Sequence, residues 1–123
     1  QQQLEHCRSD ISLAGHCGIP FGQKLSTGYW LNGGVFGMPA NDASCETWYM
    51  IIASVENQLA CNWKRLHYDY VDTAKKMSEA GLNNGYRDAL STGLWPSLDV
   101  LPAREKALTG QRLQIPALVI PVS

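Results

Sequence analysis

The sequence has few charges, no long apolar run and no catalytic motif. Charged residues make up 17% of the 123 residues, against about 25% in a typical soluble domain. The net charge is -1 and the basic residues are scattered, so no positive surface would attract a polyanion and we predict no nucleic-acid binding. No apolar run approaches the roughly 20 residues that cross a bilayer, so we predict no transmembrane span. The length predicts a single domain over residues 1–123.

Cysteine is present but confined to the first half of the chain. The four positions are Cys7, Cys17, Cys45 and Cys61. An even number of cysteines in a short chain that begins with Gln1 is typical of a processed protein in an oxidising compartment. We therefore predict two disulfides and a secreted or periplasmic location.

Residues 42–80 have the spacing of a helix. Asp42 would cap its start, and Gly81 would stop it. Apolar residues recur at three and four positions, with one small phase slip. They are Cys45, Trp48, Ile52, Val55 and Leu59, then Trp63, Leu66, Tyr70, Ala74 and Met77. The pattern predicts one central helix, or two helices joined near residues 60–62.

The other segments complete a mainly α prediction. Residues 1–17 place Leu4, Cys7, Ile11 and Ala14 on one side of a helix. Residues 18–41 are rich in glycine and aromatic residues and predict a long loop, with a short hairpin turning at Asn32-Gly33 as the alternative. Residues 83–110 predict short helices. The apolar tail, residues 111–123, contains Pro116 and Pro121, so it can form only an edge strand or an extended arm.

The predicted central helix limits how the cysteines can pair. Sixteen helical residues would separate the Cα atoms of Cys45 and Cys61 by about 24 Å, whereas a disulfide needs less than about 7 Å. Each must then pair with the N-terminal segment. We favour Cys7 with Cys61 and Cys17 with Cys45, as an antiparallel helix hairpin requires, and the crossed pairing remains the alternative.

Two further patterns involve the same cysteines. The Cys-x9-Cys spacing of Cys7 and Cys17 resembles that of small helix-hairpin proteins of the mitochondrial intermembrane space, which makes this compartment an alternative location. Cys45 and Cys61, with fifteen residues between them, depart from that family's twin spacing. The repeated His6-Cys7 and His16-Cys17 pairs lack the Cys-x2–4-Cys spacing of structural zinc sites, so we predict no metal and no cofactor.

The function that these features favour is protein binding, as an exported inhibitor, an effector, or a subunit or oligomer of an extracytoplasmic assembly. Large rings in loops and an apolar tail are typical of contact surfaces. The candidate contact residues are Tyr29, Trp30, Trp95, Ile115, Leu118 and Ile120. One alternative is a small secreted hydrolase using His67 or His16, although Asp69 is poorly placed on a helix to orient His67. Another is a carrier of an apolar ligand between helices.

Overall fold

The computed structural model describes residue 6 and residues 9–122, and it is mostly β. Strands account for 31% of the described residues and helices for 21%. The strands are β1 (Ile11–Ala14), β2 (Phe21–Leu25), β3 (Gly28–Asn32), β4 (Thr47–Val55), β5 (Gln58–Leu66) and β6 (Leu118–Pro121). The helices are α1 (Tyr70–Glu79), α2 (Gly85–Thr92) and α3 (Ala103–Ala107). The prediction of a mainly α fold is therefore wrong.

The described residues form two compact units. The first takes its residues from 1–35, 48–64 and 115–123, and the second takes them from 36–47 and 65–114. The prediction of a single domain is not tested by this division and stays a prediction. Among the described residues, none of the helices combines the length and apolarity needed to span a membrane.

The first unit contains a three-stranded sheet with β3 in the middle. β1 pairs with β3 in parallel and β2 pairs with it antiparallel. At the start of β3 the chain passes so close to β1 that a Cβ on Gly28 would overlap the carbonyl oxygen of Asp10. The same oxygen accepts a hydrogen bond from the backbone N–H of Tyr29 at 2.9 Å. Glycine at this position, where φ is +152°, allows the two strands to meet.

The second sheet has the order β4-β5-β6, with β4 and β5 joined by the two-residue loop Glu56-Asn57. A two-residue hairpin loop aligns Val55 with Gln58. β6 runs antiparallel to β5, with Leu59 opposite Ile120 and Cys61 opposite Leu118. Trp63 on β5 is 6% exposed, and its indole Nε1 donates a hydrogen bond to the carbonyl oxygen of Asn32 at 2.8 Å.

The second unit holds the three helices. Asp69 caps α1 by accepting a hydrogen bond from the N–H of Asp72, and Asn84 caps α2 by accepting from those of Tyr86 and Arg87. α1 and α2 pack together. The core of the unit includes the buried residues Ala40, Ala89, Leu90 and Leu101.

The predicted central helix over residues 42–80 is wrong over most of its length. Residues 47–66 form the β4–β5 hairpin, and only Tyr70–Glu79 is helical. The predicted N-terminal helix, residues 1–17, is wrong at Ile11–Ala14, which is β1, while Leu4 and Cys7 lie outside the described residues. The range 18–41, predicted as a loop, contains β2 and β3, and their turn lies at Ser26-Thr27 instead of Asn32-Gly33.

The predicted disulfides are also contradicted. Cys17, Cys45 and Cys61 are free cysteines, exposed, half-buried and buried respectively, so the favoured Cys17–Cys45 bond is wrong. Cys7, the remaining partner, lies outside the described residues. The spacing argument assumed a helix over residues 45–61, whereas residues 47–66 form the β4–β5 hairpin, so that argument no longer constrains the pairing. The tail forms an edge strand, β6, and the range 83–110 contains α2 and α3.

Candidate functional site

The outer face of the β4-β5-β6 sheet exposes apolar side chains, and the hairpin register shows which residues belong to it. Successive residues of a strand point to opposite faces. Cys61 and Trp63, which are 0% and 6% exposed, belong to the inner face. Alternate residues of the three strands therefore belong to the outer face. They are Tyr49, Ile51, Ala53 and Val55 in β4, Gln58, Ala60, Asn62 and Lys64 in β5, and Val119 and Pro121 in β6.

Apolar side chains on this outer face are exposed to solvent. Ile51 is 48% exposed, Val55 55% and Val119 53%. Ala53, between Ile51 and Val55, is also exposed. Val119 lies directly opposite Ala60, so the apolar side chains form one patch across three strands. Exposed contiguous apolar surface of this kind marks interaction sites in soluble proteins.

β4 is an edge strand of its sheet, and within residues 9–122 no second strand pairs with its backbone beyond Met50. The N–H of Val122 donates to the carbonyl of Asn57 at 2.8 Å, which shows that the backbone N–H and C=O groups of odd-numbered β5 residues point towards β6. The backbone groups of even-numbered β5 residues therefore point towards β4, where they bond to the odd-numbered residues of β4. The N–H and C=O groups of Ile52 and Ser54 point to the open edge. At Met50 the same edge is bounded by Gly33, where an added Cβ would lie 3.9 Å from the Met50 nitrogen.

The two outer edges of this sheet differ in protection. β6 carries Pro121 within the strand and Pro116 just before it, and proline discourages a further strand from pairing. β4 reads Thr-Trp-Tyr-Met-Ile-Ile-Ala-Ser-Val and contains neither proline nor a charged side chain. Natural edge strands are usually protected by such residues. The composition of β4 therefore favours pairing with a further strand at its open edge.

A separate polar cluster lies in the second unit, around Glu46 and Arg65. Arg65 donates from Nη1 to the Glu46 Oε2 at 2.9 Å and from Nη2 to the Asp42 Oδ2 at 2.8 Å. It also donates to the carbonyl of Leu113 at 2.6 Å. The Ser44 hydroxyl donates to the Glu46 carboxylate at 3.0 Å. The cluster therefore ties residues 42–46 to the end of β5 and to residue 113.

The Glu46 carboxylate in this cluster also holds His67. The imidazole Nε2 lies 2.8 Å from the Glu46 Oε1, and the His67 side chain is 83% exposed while that of Glu46 is 14% exposed. Burial acts to raise the pKa of Glu46, but the Ser44 hydrogen bond and the Arg65 charge outweigh it and the pKa is lowered. The arrangement presents an oriented imidazole to solvent against an ionised carboxylate, which is the geometry of an acid-base pair.

Next to His67, two tyrosines pack edge to face. The ring centroids of Tyr68 and Tyr70 are 6.4 Å apart. Burial raises the pKa of Tyr68, and a hydrogen bond with the Cys45 side chain raises that of Tyr70. The Cys45 thiol donates to the Ser91 carbonyl at 3.2 Å. These contacts anchor the segment that leads from His67 into α1.

The predicted contact residues do not form one group. Tyr29 and Trp30 are half-buried in β3. Trp95 is half-buried in the second unit, where its indole donates to the Pro39 carbonyl at 2.7 Å. Ile115 and Leu118 are half-buried and Ile120 is 3% exposed. Their role in binding stays a prediction.

Sequence reasoning missed the outer-face residues of β4 and missed Glu46 as the partner of His67. The carboxylate considered at the sequence level was Asp69, which caps α1. His16, the other candidate, is exposed just after β1. The enrichment of residues 47–55 in β-branched and aromatic side chains is the signal that could have identified the strand.

Comparison with protein-family models, with curated proteins and with solved structures found no match for this chain.

Proposed function

We propose that this protein acts by binding another protein through the outer face of the β4-β5-β6 sheet. The observation that carries the proposal is the exposure of Ile51, Val55 and Val119 on one face, each by about half. Burying such side chains against a partner gains roughly 25 cal/mol per Å² of apolar surface removed from water. The adjacent open edge of β4 adds unpaired backbone donors and acceptors to the same surface.

A charge placed on this face tests the proposal. Ala60 lies on the central strand, opposite Val119 and away from the β4 edge, so Ala60→Glu would put a carboxylate at the centre of the patch. Val100→Glu is the matched control, because Val100 is 84% exposed and lies in the second unit. Affinity purification from the producing cells, followed by titration of each recovered protein, measures the effect.

We expect Ala60→Glu to weaken binding of a recovered partner at least tenfold, because the carboxylate must be desolvated without a counter-ion. Val100→Glu should bind like the wild type. Equal binding by wild type and Ala60→Glu would contradict the proposed surface.

The proposed location is outside the cytoplasm, secreted or periplasmic, with the mitochondrial intermembrane space as the alternative. It is supported by the low fraction of charged residues, 17%, and no longer by cysteine pairing, since Cys17, Cys45 and Cys61 are free. Fractionation of the producing cells, with the protein detected by antibody, tests it. Recovery in the cytosolic fraction alone would contradict it.

A second candidate function is hydrolysis with His67 as general base. It is favoured by the 2.8 Å contact between His67 and the half-buried Glu46, which fixes the exposed imidazole. With Nε2–H donated to Glu46, Nδ1 is the nitrogen available to accept a proton from water or a substrate hydroxyl. Hydrolysis of a panel of esters and phosphodiesters, lost on His67→Gln and reduced by Glu46→Gln, would support it. Equal rates for wild type and His67→Gln would contradict it.

A further inference from the structure

We propose that one partner of this surface is a second copy of the same chain, paired antiparallel along the open edge of β4. This inference rests on the proposed function, because it names a partner for the same face and its edge. The open part of the edge runs from residue 51 to residue 55. It is five residues long, uncharged and free of proline, so two copies can approach without like charges meeting.

Backbone geometry determines the register of such a pair. The groups that point outward belong to Ile52 and Ser54, so these must form the hydrogen-bonded pairs of the new ladder. When Ile52 of one copy lies opposite Ser54 of the other, the outward N–H and C=O groups of both strands are paired, which gives four hydrogen bonds. The two-fold axis then passes between the Ala53 residues of the two copies, as in an isologous dimer.

The side chains are complementary in this register. Ala53 meets Ala53 of the second copy in a non-hydrogen-bonded pair, where Cα atoms approach to about 4.5 Å. The small side chain permits that approach. Ile51 lies opposite Val55 of the second copy, and the reverse pair is identical by symmetry. Ile51 and Val55 are 48% and 55% exposed, so pairing would cover apolar surface that is otherwise in water.

The size of the contact predicts a weak dimer. A stable protein–protein interface buries at least about 1,000 Å², and five residues of strand pairing supply less than this. Pairing should therefore depend on protein concentration. Sedimentation equilibrium from low micromolar to millimolar protein is the appropriate measurement.

A charge swap at Ala53 tests the two-fold register. Ala53 is exposed, so Ala53→Glu and Ala53→Lys should each fold. In either variant like charges face each other across the axis, and the dimer dissociation constant should rise at least tenfold. An equimolar mixture of the two variants should form a heterodimer at least as tightly as the wild-type dimer. High salt should partly restore the Ala53→Glu homodimer, since it screens the repulsion.

The backbone ladder is tested separately at Ser54, whose side chain is exposed. Ser54→Pro removes the outward N–H, while Ser54→Ala keeps it and is the matched control. Ser54→Pro should abolish dimerisation and Ser54→Ala should leave it unchanged. Circular dichroism and thermal unfolding identify a variant that fails to fold, and the Ala53 charge swap then decides the question.

Three outcomes would overturn the inference: a wild-type protein that stays monomeric at millimolar concentration, a dimer unaffected by the Ala53 variants, or a mixture that does not recover dimerisation. None of these outcomes contradicts the proposed function, which is tested by the affinity of Ala60→Glu for a different protein partner. Conversely, the Ala53 variants could weaken the dimer while Ala60→Glu leaves the affinity for a different protein partner unchanged. That result would support self-pairing alone and contradict binding through the outer face.

Discussion

Trp63 and Asn32 are joined by a hydrogen bond of 2.8 Å from the indole Nε1 to the backbone carbonyl oxygen. Both residues are buried, at 6% and 0% exposure. The Asn32 side chain in turn donates to the carbonyls of Cys17 and Ile19 at 2.7 and 2.8 Å. Through this pair, β5 is fixed to β3 and to the chain before β2, so Trp63 organises the core of the first unit.

Gly22→Ala should destabilise the first unit. A Cβ at Gly22 would overlap the six-membered ring of Trp63, and the ring is held by its hydrogen bond to Asn32. Overpacking of this kind costs about 1–3 kcal/mol. Urea unfolding followed by tryptophan fluorescence measures it. Gly15→Ala is the control, since no neighbouring atom lies within 4 Å of its added Cβ, and a loss of stability as large at Gly15 would contradict the packing explanation.

Asn41→Gly should destabilise the second unit. Asn41 has a left-handed φ of 60°, which glycine also adopts, so the variant isolates the side-chain hydrogen bonds. Asn41 accepts from the N–H of Trp95 at 2.9 Å and donates to the Thr109 hydroxyl at 3.1 Å. Losing buried partners costs about 1–3 kcal/mol. Ala43→Gly, at an exposed residue with φ 58°, should change the free energy of unfolding far less, and equal effects would contradict this role for the amide.

Stability should fall in acid through Glu46. Its pKa in the folded protein lies below the ordinary value of 4.5, so as the pH drops past that value the unfolded chain takes up the proton first and folding is weakened. The contribution is present above pH 4.5 and is lost as the pH falls through the folded pKa. Glu46→Gln should therefore flatten the dependence of the free energy of unfolding on pH as the pH falls below 4.5. Identical slopes for wild type and variant would rule out this contribution.

The three described cysteines should react with a thiol reagent at different rates. Cys17 is exposed, whereas Cys61 is 0% exposed and burial raises its pKa. Since the thiolate is the reactive form, alkylation followed by peptide mass mapping should show fast labelling at Cys17 and labelling of Cys61 only on unfolding. Recovery of Cys17 joined to Cys45 in the native protein would contradict the free thiols.

The helix prediction failed because residues 48–55 are almost all apolar. A continuous apolar run satisfies a period of 3.6 and a period of 2 equally well, so the spacing of Trp48, Ile52 and Val55 carried no information about periodicity. The turn at Glu56-Asn57 was also hidden, because it contains no glycine. Glu56 adopts a positive φ of 53°, which is uncommon for such a residue. Composition could have identified the strand, while its turn could not be seen.

The candidate sites show the same limit. His67 stands out in the sequence, but its partner Glu46 lies 21 positions earlier and meets it only because the β4–β5 hairpin brings the two ends together. The exposed face of β4 depends on which alternate residues point outward, and that follows from the register of the hairpin. Both sites depend on the turn at residues 56 and 57, so a sequence prediction that misses this turn misses both sites.

Hydrogen exchange at the backbone amides of β4 tests the open edge most directly. In dilute protein we expect slow exchange at Ile51, Ala53 and Val55, whose N–H groups bond to β5, and fast exchange at Ile52 and Ser54. Raising the protein concentration should slow exchange at Ile52 and Ser54 as copies pair. Uniform protection from 51 to 55 in dilute protein would contradict the open edge and, with it, the pairing surface.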